Sequence, residues 1–308
     1  MESDKNWGLA AVGLTGTLGV IALLAALGAM IFGVGYFSCS SETRTDAPAR
    51  VSEPVEAQPV PADDMVGMGL ASVLERAGLE ARLLVFFERG GERIYGVDVH
   101  GAEAIEAWEL LRAYTDESGF YPVILGEGAA VRLHRQVIDG FEAPSVILES
   151  ALIVDVDAWR EARVQQYGAP PRGAYEFVSP QQVHVAATTD VLTGAPFEHV
   201  AIALVPTRSP WEVPAYLGYG GWNECPPPEV HVALMKRWYQ RHGAEIVSAT
   251  QDTVEMQVAR PPIDQPAALE LATEHYVYCS DIVYQGTGDL DALAAGLEGA
   301  PMWFFWWD

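Results

Sequence analysis

The sequence predicts an α+β fold, a mixed sheet with flanking helices, preceded by one N-terminal transmembrane helix. Short β-type runs alternate with amphipathic helical segments from residue 83 to the end of the sequence. Short turns join neighbouring β-type runs into hairpins, which favours an α+β fold over a doubly wound parallel sheet. Ahead of them, the 31 residues from Trp7 to Phe37 carry no charge. An apolar helix needs only about 20 residues to cross a bilayer.

The apolar segment is interpreted as a retained anchor, residues 1–38. A cleaved signal peptide has a basic start and an apolar core of about 7–15 residues. Here the start is Met1-Glu-Ser-Asp-Lys5 and the core is much longer. Lys5 lies on one side of the segment, and Arg44 and Arg50 lie on the other. Because bases favour the cytoplasmic side, this balance predicts a single-pass membrane protein with its large domain in the cytoplasm.

Two further features of the anchor leave alternatives open. Small residues recur at every fourth position, at Ala11, Thr15 and Gly19 and again at Ala25, Ala29 and Gly33. This spacing lets membrane helices approach closely and makes a homodimer a candidate. Tyr36-Phe37-Ser38-Cys39 is loosely similar to a lipoprotein cleavage site, but tyrosine stands where an aliphatic residue is usual. Lipidation of Cys39 is therefore the weaker alternative.

The rest of the chain is divided into a tether and two folded parts. Residues 39–64 contain acids and four prolines, Pro48, Pro54, Pro59 and Pro61, and are interpreted as a semi-extended tether. A loop-rich stretch near residue 190 then separates a predicted N-terminal α+β subdomain, 65–190, from a predicted C-terminal α+β domain, 191–308.

The elements of the first subdomain follow from turn residues and periodicity. Gly90-Gly91 between two apolar runs predicts a hairpin. Apolar residues at three- and four-residue steps from Ala104 to Tyr114 predict an amphipathic helix, which ends by Gly119. The predicted elements are strands at 83–87 and 94–99, a helix at 104–114, a strand at 121–125 and a helix at 157–167.

The second domain is more regular, because glycine or proline marks the end of most of its elements. Gly243 ends one helix, Pro261-Pro262 separates a hairpin from the next helix, and Gly299 and Pro301 precede an aromatic strand at the C-terminus. The predicted elements are a strand at 199–205, a helix at 228–242, strands at 244–249 and 253–259, helices at 265–279 and 290–297, and the closing strand from Met302.

The formal net charge is −24, and residues 65–308 carry most of it, with 34 acidic and 15 basic side chains. Nucleic acid is excluded as a partner because neutralising phosphates requires clustered lysine and arginine. High charge serves solubility, and it also makes a basic protein the candidate partner. The sequence contains no motif for nucleotide binding, zinc proteolysis or a nucleophilic serine, so no cofactor is predicted.

Over about 200–308 the chain carries a dense, ordered set of aromatic, glycine, proline and acidic residues. The set includes Trp211, Gly220-Gly221-Trp222-Asn223, Cys225-Pro226, Trp238, Arg260-Pro261-Pro262, Glu274, Tyr276, Tyr278-Cys279, Asp281, Trp303 and Phe305-Trp306-Trp307-Asp308. This pattern resembles the bacterial family catalogued as domain of unknown function 4253. A weaker resemblance covers Tyr95-Gly96, Trp108 and Tyr121-Pro122-Val123, and Ser280 departs from the family pattern, which has proline there. The resemblance implies a fold and marked positions, but no activity.

Cys225 is the first candidate for catalysis. It stands shortly before a predicted helix, whose N-terminus would lower the thiol pKa, and His231 or His275 would supply the base. The alternative is a small buried Cys225, with Asn223 bonded to the loop backbone. Cys225, His231, His275 and Cys279 also form a weak zinc candidate, since His275 and Cys279 stand four residues apart on a predicted helix. That spacing is equally typical of a core-facing stripe, and no metal is predicted.

Glu274 and Asp281 are the second catalytic candidate, as a carboxylate pair with Arg260 as counter-charge. The alternative is a structural ion pair or a helix-end interaction. A ligand pocket, if formed, would be lined by aromatic and polar groups, which suit a small ligand or a peptide anchor. The candidate ligand-binding residues are Trp211, Trp222, Asn223, Arg260, Tyr278 and Asp308.

The sequence does not identify an activity. We expect a membrane-anchored binding or interaction module, and neutralisation of a basic toxin near the membrane is one specific form of it. The competing hypothesis is an enzyme that uses Cys225 or the pair of Glu274 and Asp281.

Overall fold

A computed structural model describes residues 54–128, 131, 142–179 and 184–308. The predicted transmembrane helix, its helix–helix contact, Cys39 and most of the tether lie outside these residues. Within the described part of the chain, no helix is both long enough and apolar enough to cross a membrane.

One eight-stranded sheet organises the described residues. Its strands are β1 (Gln58–Pro59), β2 (Leu84–Arg89), β3 (Glu92–Val99), β4 (Tyr121–Gly126), β5 (Val200–Val205), β6 (Ala244–Ala249), β7 (Thr253–Val258) and β8 (Met302–Trp306). Their order across the sheet is β1-β2-β3-β5-β4-β6-β7-β8. Neighbours are antiparallel except β4 and β6, which run parallel. The predicted mixed sheet is confirmed.

Helices flank this sheet, which confirms the α+β class. They are α1 (Met65–Arg76), α2 (Ala104–Ala113), α3 (Thr115–Ser118), α4 (Pro144–Ala151), α5 (Val156–Tyr167), α6 (Val213–Leu217), α7 (Pro228–His242), α8 (Gln265–Tyr278) and α9 (Leu290–Leu297). Short 3-10 helices lie at Ala186–Thr188 and Pro210–Glu212, and a π-helix lies at Ile282–Thr287. Each helix and strand predicted above from residue 83 onward lies within two residues of an observed one.

The N-terminal edge of the fold begins earlier than predicted. Gln58 and Pro59 pair with β2, although the tether was expected to continue to residue 64. Asp64 then caps α1 by accepting hydrogen bonds from the backbone of Val66 and Gly67. Its other oxygen accepts from Tyr95 (2.6 Å) and Arg93 (2.8 Å) of β3. Residues 54–64 therefore belong to the folded body, because contacts distant in sequence hold them there.

The sheet includes strands from both sides of the predicted division at residue 190. Strand β5, from the second predicted domain, lies between β3 and β4 of the first. The sheet is therefore continuous across the expected boundary, and a hydrophobic core cluster includes buried residues from both sides of it. Sequence composition could mark the loop near residue 190 but not this strand pairing.

The aromatic C-terminus forms the edge strand β8 with alternating burial. Trp303, Phe305 and Trp307 are buried at 1%, 0% and 2% exposure, whereas Phe304 and Trp306 are half-buried. This period of two is what one face of a strand produces. Phe305 stacks on Trp238 of α7, with ring centroids 5.5 Å apart and planes 2° from parallel. The strand therefore closes the core under α7 and α8.

We predict that Phe305→Ala lowers the free energy of unfolding by about 3–5 kcal/mol, because it leaves a cavity against Trp238. Phe304→Ala is the matched control, since Phe304 is half-buried on the opposite face, and its loss is on the order of 1 kcal/mol. Urea denaturation of both variants measures the difference. Equal losses would show that β8 is not packed in this register.

Candidate functional site

A glycine-rich loop between α6 and α7 positions Cys225. Gly220 has φ +110°, and a Cβ there would lie 2.0 Å from the Pro226 carbonyl oxygen and 2.7 Å from ring atoms of His231. Only glycine allows the loop to approach the ring so closely. The backbone N–H of Cys225 donates to the carbonyl of Trp222 (2.9 Å) and closes the turn. The thiol is thereby directed toward the first turns of α7.

Three polar side chains form a buried row at this point. The Cys225 Sγ lies 3.3 Å from Nε2 of His231, and Nδ1 of His231 lies 2.6 Å from the hydroxyl oxygen of Tyr278. Cys225 is 4% exposed, and the other two residues are fully buried. Both imidazole nitrogens thus have protein partners. We call these three residues the Cys-His-Tyr row.

Burial keeps the Cys-His-Tyr row uncharged at neutral pH. Loss of hydration raises the pKa of the Cys225 thiol far above its ordinary value, and the nearby Cys279 adds to this shift. The same loss of hydration lowers the pKa of His231 to about 3 and raises the pKa of Tyr278 well above its usual value. The expectation that the helix N-terminus lowers the thiol pKa is wrong, because desolvation is the larger effect. Of the two proposed bases, only His231 is shown hydrogen-bonded to Cys225.

The four residues of the weak zinc candidate do not form one group. His275 packs edge-on against Trp303 (4.6 Å) and Phe305 (4.8 Å), and burial lowers its pKa well below the usual value. The Cys279 thiol donates to the carbonyl of Trp306 (2.8 Å). Among the described residues, no three His, Cys, Asp or Glu side chains are grouped to hold a metal ion. The core-facing stripe describes α8 better.

Glu274 and Asp281 are shown in different interactions and not as a pair. Glu274 is buried and is paired with arginines of α5 and α7. Asp281 accepts a hydrogen bond from the backbone N–H of Asp308 (3.1 Å). Arg260, the expected counter-charge, instead donates to carbonyls at the C-terminal end of α7, including those of Tyr239 and Gln240. The expected pair with Arg260 is therefore replaced by separate structural interactions.

The remaining candidate residues divide into two places. The Asn223 amide donates to the carbonyl of Asp308 (2.6 Å), so the end of the chain meets the loop that carries Trp222. Trp222 packs on Tyr219 (4.9 Å), whose ring in turn contacts His231 (5.3 Å). Trp211 lies apart and contacts Tyr239, with ring centroids 4.7 Å apart and planes tilted by 50°. Thus Tyr278 belongs to the Cys-His-Tyr row, and Trp222, Asn223 and Asp308 lie at the loop beside it. Trp211 and Arg260 have their contacts elsewhere.

Comparison with known proteins found a family model that matches this part of the chain, from β5 to the last residue. Residues 201–308 match the family described as "Domain of unknown function (DUF4253)". The predicted resemblance of the C-terminal part is confirmed, whereas Tyr95 to Val123 lie outside the match. No curated protein and no solved structure matches the chain.

Several interacting residues in and around the DUF4253 region were missed by the sequence reasoning. Tyr219 precedes the glycine pair, and its ring covers His231. Arg237 and Arg241 stand four residues apart on α7, a spacing that places them on one face. That spacing was the available signal. Arg160 and Arg163 stand three residues apart on α5, but that spacing did not indicate their partners, because they reach the DUF4253 region only through tertiary packing.

We predict that Tyr278→Phe destabilises the protein by about 1–3 kcal/mol, because the change leaves Nδ1 of buried His231 without its partner. Tyr284→Phe is the control. Its hydroxyl also forms one hydrogen bond, to Tyr276, but the residue is 55% exposed and water can replace that bond. Urea denaturation compares the two variants. A Tyr278→Phe variant as stable as the control would show that the row does not stabilise the core.

Proposed function

We propose that this protein is a membrane-anchored binding module, with its acidic domain on the cytoplasmic side and a basic protein as its partner. The proposal takes the anchor from the uncharged segment between Trp7 and Phe37 and the partner class from the net charge of −24. Toxin neutralisation near the membrane is one specific form of this function. It requires only that the acidic domain capture a basic protein.

The burial and protonation of the thiol in the Cys-His-Tyr row favour a binding module over an enzyme. A nucleophilic cysteine needs a thiolate or an accessible base. Cys225 is buried, and the pKa of its thiol is raised. His231 is also buried, and the pKa of its imidazole is lowered. The second catalytic candidate, Glu274, is held by ion pairs in the core. These groups therefore suit a structural role.

The acidic surface runs along α2 and into α3. Glu103, Glu106 and Glu109 are exposed at three-residue steps, while Trp108 and Leu111 of the same helix are buried in the core. Asp116 continues the surface on α3. Of the arginines next to it, Arg112 pairs with Glu245 and Arg76 with Glu117, and Arg208 donates to the backbone carbonyl of Asp116. The outward field of this surface is therefore negative, and a basic protein is the partner that fits it.

We predict that E103K/E106K/E109K abolishes salt-sensitive recovery of a basic partner when the full-length tagged chain is purified from its native host. E149K/E176K/E270K is the control, because it reverses three exposed acids on other segments and leaves recovery unchanged. Quantitative mass spectrometry of both samples, at low and raised salt, is the measurement. A partner that is retained by the first variant, or whose recovery is independent of salt, contradicts the proposal.

We predict that iodoacetamide does not label Cys225 in the native full-length protein below about pH 9, because the buried thiol stays protonated. The same thiol should label rapidly once urea unfolds the chain. Peptide mapping separates Cys225 from Cys39 and Cys279. Native labelling at Cys225 near pH 7 would favour the competing enzyme hypothesis.

A further inference from the structure

Three arginines converge on one buried carboxylate oxygen at the junction of α5, α7 and α8. Oε1 of Glu274 lies 3.1 Å from Arg160, 3.3 Å from Arg237 and 3.2 Å from Arg241. The Glu274 side chain is 2% exposed. We call Arg160, Arg237 and Arg241 the arginine cluster.

The Glu274 oxygen at this junction faces more hydrogen-bond donors than it can accept. One carboxylate oxygen offers about two lone-pair sites, and Oε1 faces three guanidinium groups. The other oxygen, Oε2, accepts from the indole N–H of Trp238 (3.0 Å). The three contacts to Oε1 are also longer than the roughly 2.7–2.9 Å of a strong charge-assisted hydrogen bond. Glu274 therefore holds the arginines in place without satisfying their donors.

Two members of the arginine cluster have N–H donors without a hydrogen-bond partner. The Nε atoms of Arg160 and Arg237 are buried and have no hydrogen-bond partner. One further acid, Asp157, contacts Arg160 (3.4 Å) and Arg237 (2.7 Å). Three guanidinium groups thus share two carboxylates, so the group carries an excess positive charge in a protein whose net charge is −24.

This positive charge is accessible from solvent. The Arg241 side chain is 46% exposed, and those of Arg160 and Arg237 are 22% and 18% exposed. Arg237 lowers the pKa of the exposed Asp157, and Arg160 and Arg241 add smaller effects, so the field extends to the surface. Arg260, which donates to the carbonyl of Arg241, adds a fourth guanidinium at the same helix end.

We propose that the arginine cluster binds a phosphate-class oxyanion. The site takes a small tetrahedral anion whose oxygens accept from Arg160 and Arg241, in competition with the exposed carboxylate of Asp157. Guanidinium groups match such anions because their parallel N–H donors bind two oxygens at once. Glu274, on the buried side of the cluster, orients the arginines and reduces the electrostatic repulsion between them. The phosphate could be free in solution or part of an anionic lipid headgroup, and the chemistry of recognition is the same.

The test is calorimetric titration of the full-length chain with inorganic phosphate at constant ionic strength, with chloride as the balancing anion. We expect saturable binding that Arg241→Gln weakens by about tenfold or more. Arg82→Gln, which removes an exposed arginine between α1 and β2, should leave the affinity unchanged. Arg160→Gln is the second variant, with the same expected loss, in case Arg241→Gln does not fold.

A parallel arm measures co-sedimentation with vesicles that contain phosphatidic acid. Binding to vesicles that depends on Arg241, with none to inorganic phosphate, would identify the headgroup as the source. Binding to inorganic phosphate with the same dependence would identify the free anion. Absence of saturable binding in both arms, or an equal loss in Arg82→Gln, would overturn the proposal.

Discussion

The packing of the aromatic edge strand against α7 and α8 is the interaction on which the rest of the described structure depends. Phe305 stacks on Trp238. The ring centroid of Trp307 lies 5.2 Å from that of Tyr278 and 5.7 Å from that of His231. Each such ring buries on the order of 150–250 Å². Because α7 carries His231 and α8 carries Tyr278, the same contacts set the distance across the Cys-His-Tyr row. The last residue then ties the loop at Asn223 to the strand.

The same packing determines the chemistry of the buried groups. Removing Cys225 and His231 from water disfavours the charged form of each, so the thiol keeps its proton and the imidazole stays neutral. A helix N-terminus stabilises nearby negative charge by at most about 2 kcal/mol, which is too little to offset full burial. The thiol and the imidazole of the Cys-His-Tyr row are therefore buried in their uncharged forms.

Charge is unevenly distributed over the described surface. Exposed acids lie along α2 and α3, whereas Arg160 of α5 and Arg237 and Arg241 of α7 gather around Glu274. Helix α5 has no buried residue of its own and is attached by polar and ring contacts, among them Arg163 to the backbone carbonyl of Glu224 (2.7 Å) and Tyr167 to the carboxylate of Glu224 (2.6 Å). A buried carboxylate is costly without partners, and Glu274 therefore keeps the arginines together. Among the described residues, this acidic protein thus groups three arginines around one buried carboxylate.

Local patterns in the sequence were sufficient for most of the helices and strands. Gly243 ends α7, alternation marks β8, and Gly90-Gly91 turns the first hairpin, because these signals act over a few residues. Strand β1 was missed because it pairs with the distant strand β2, whereas helix α1 begins at a local signal, the Asp64 cap, which was not used. By itself the sequence determined the α+β class, the aromatic closing strand and the family resemblance. Only the tertiary structure decided that β5 lies between β3 and β4, that Glu274 meets three arginines and that Cys225 is uncharged, because strand order, ion pairing and desolvation depend on contacts between residues far apart in the chain.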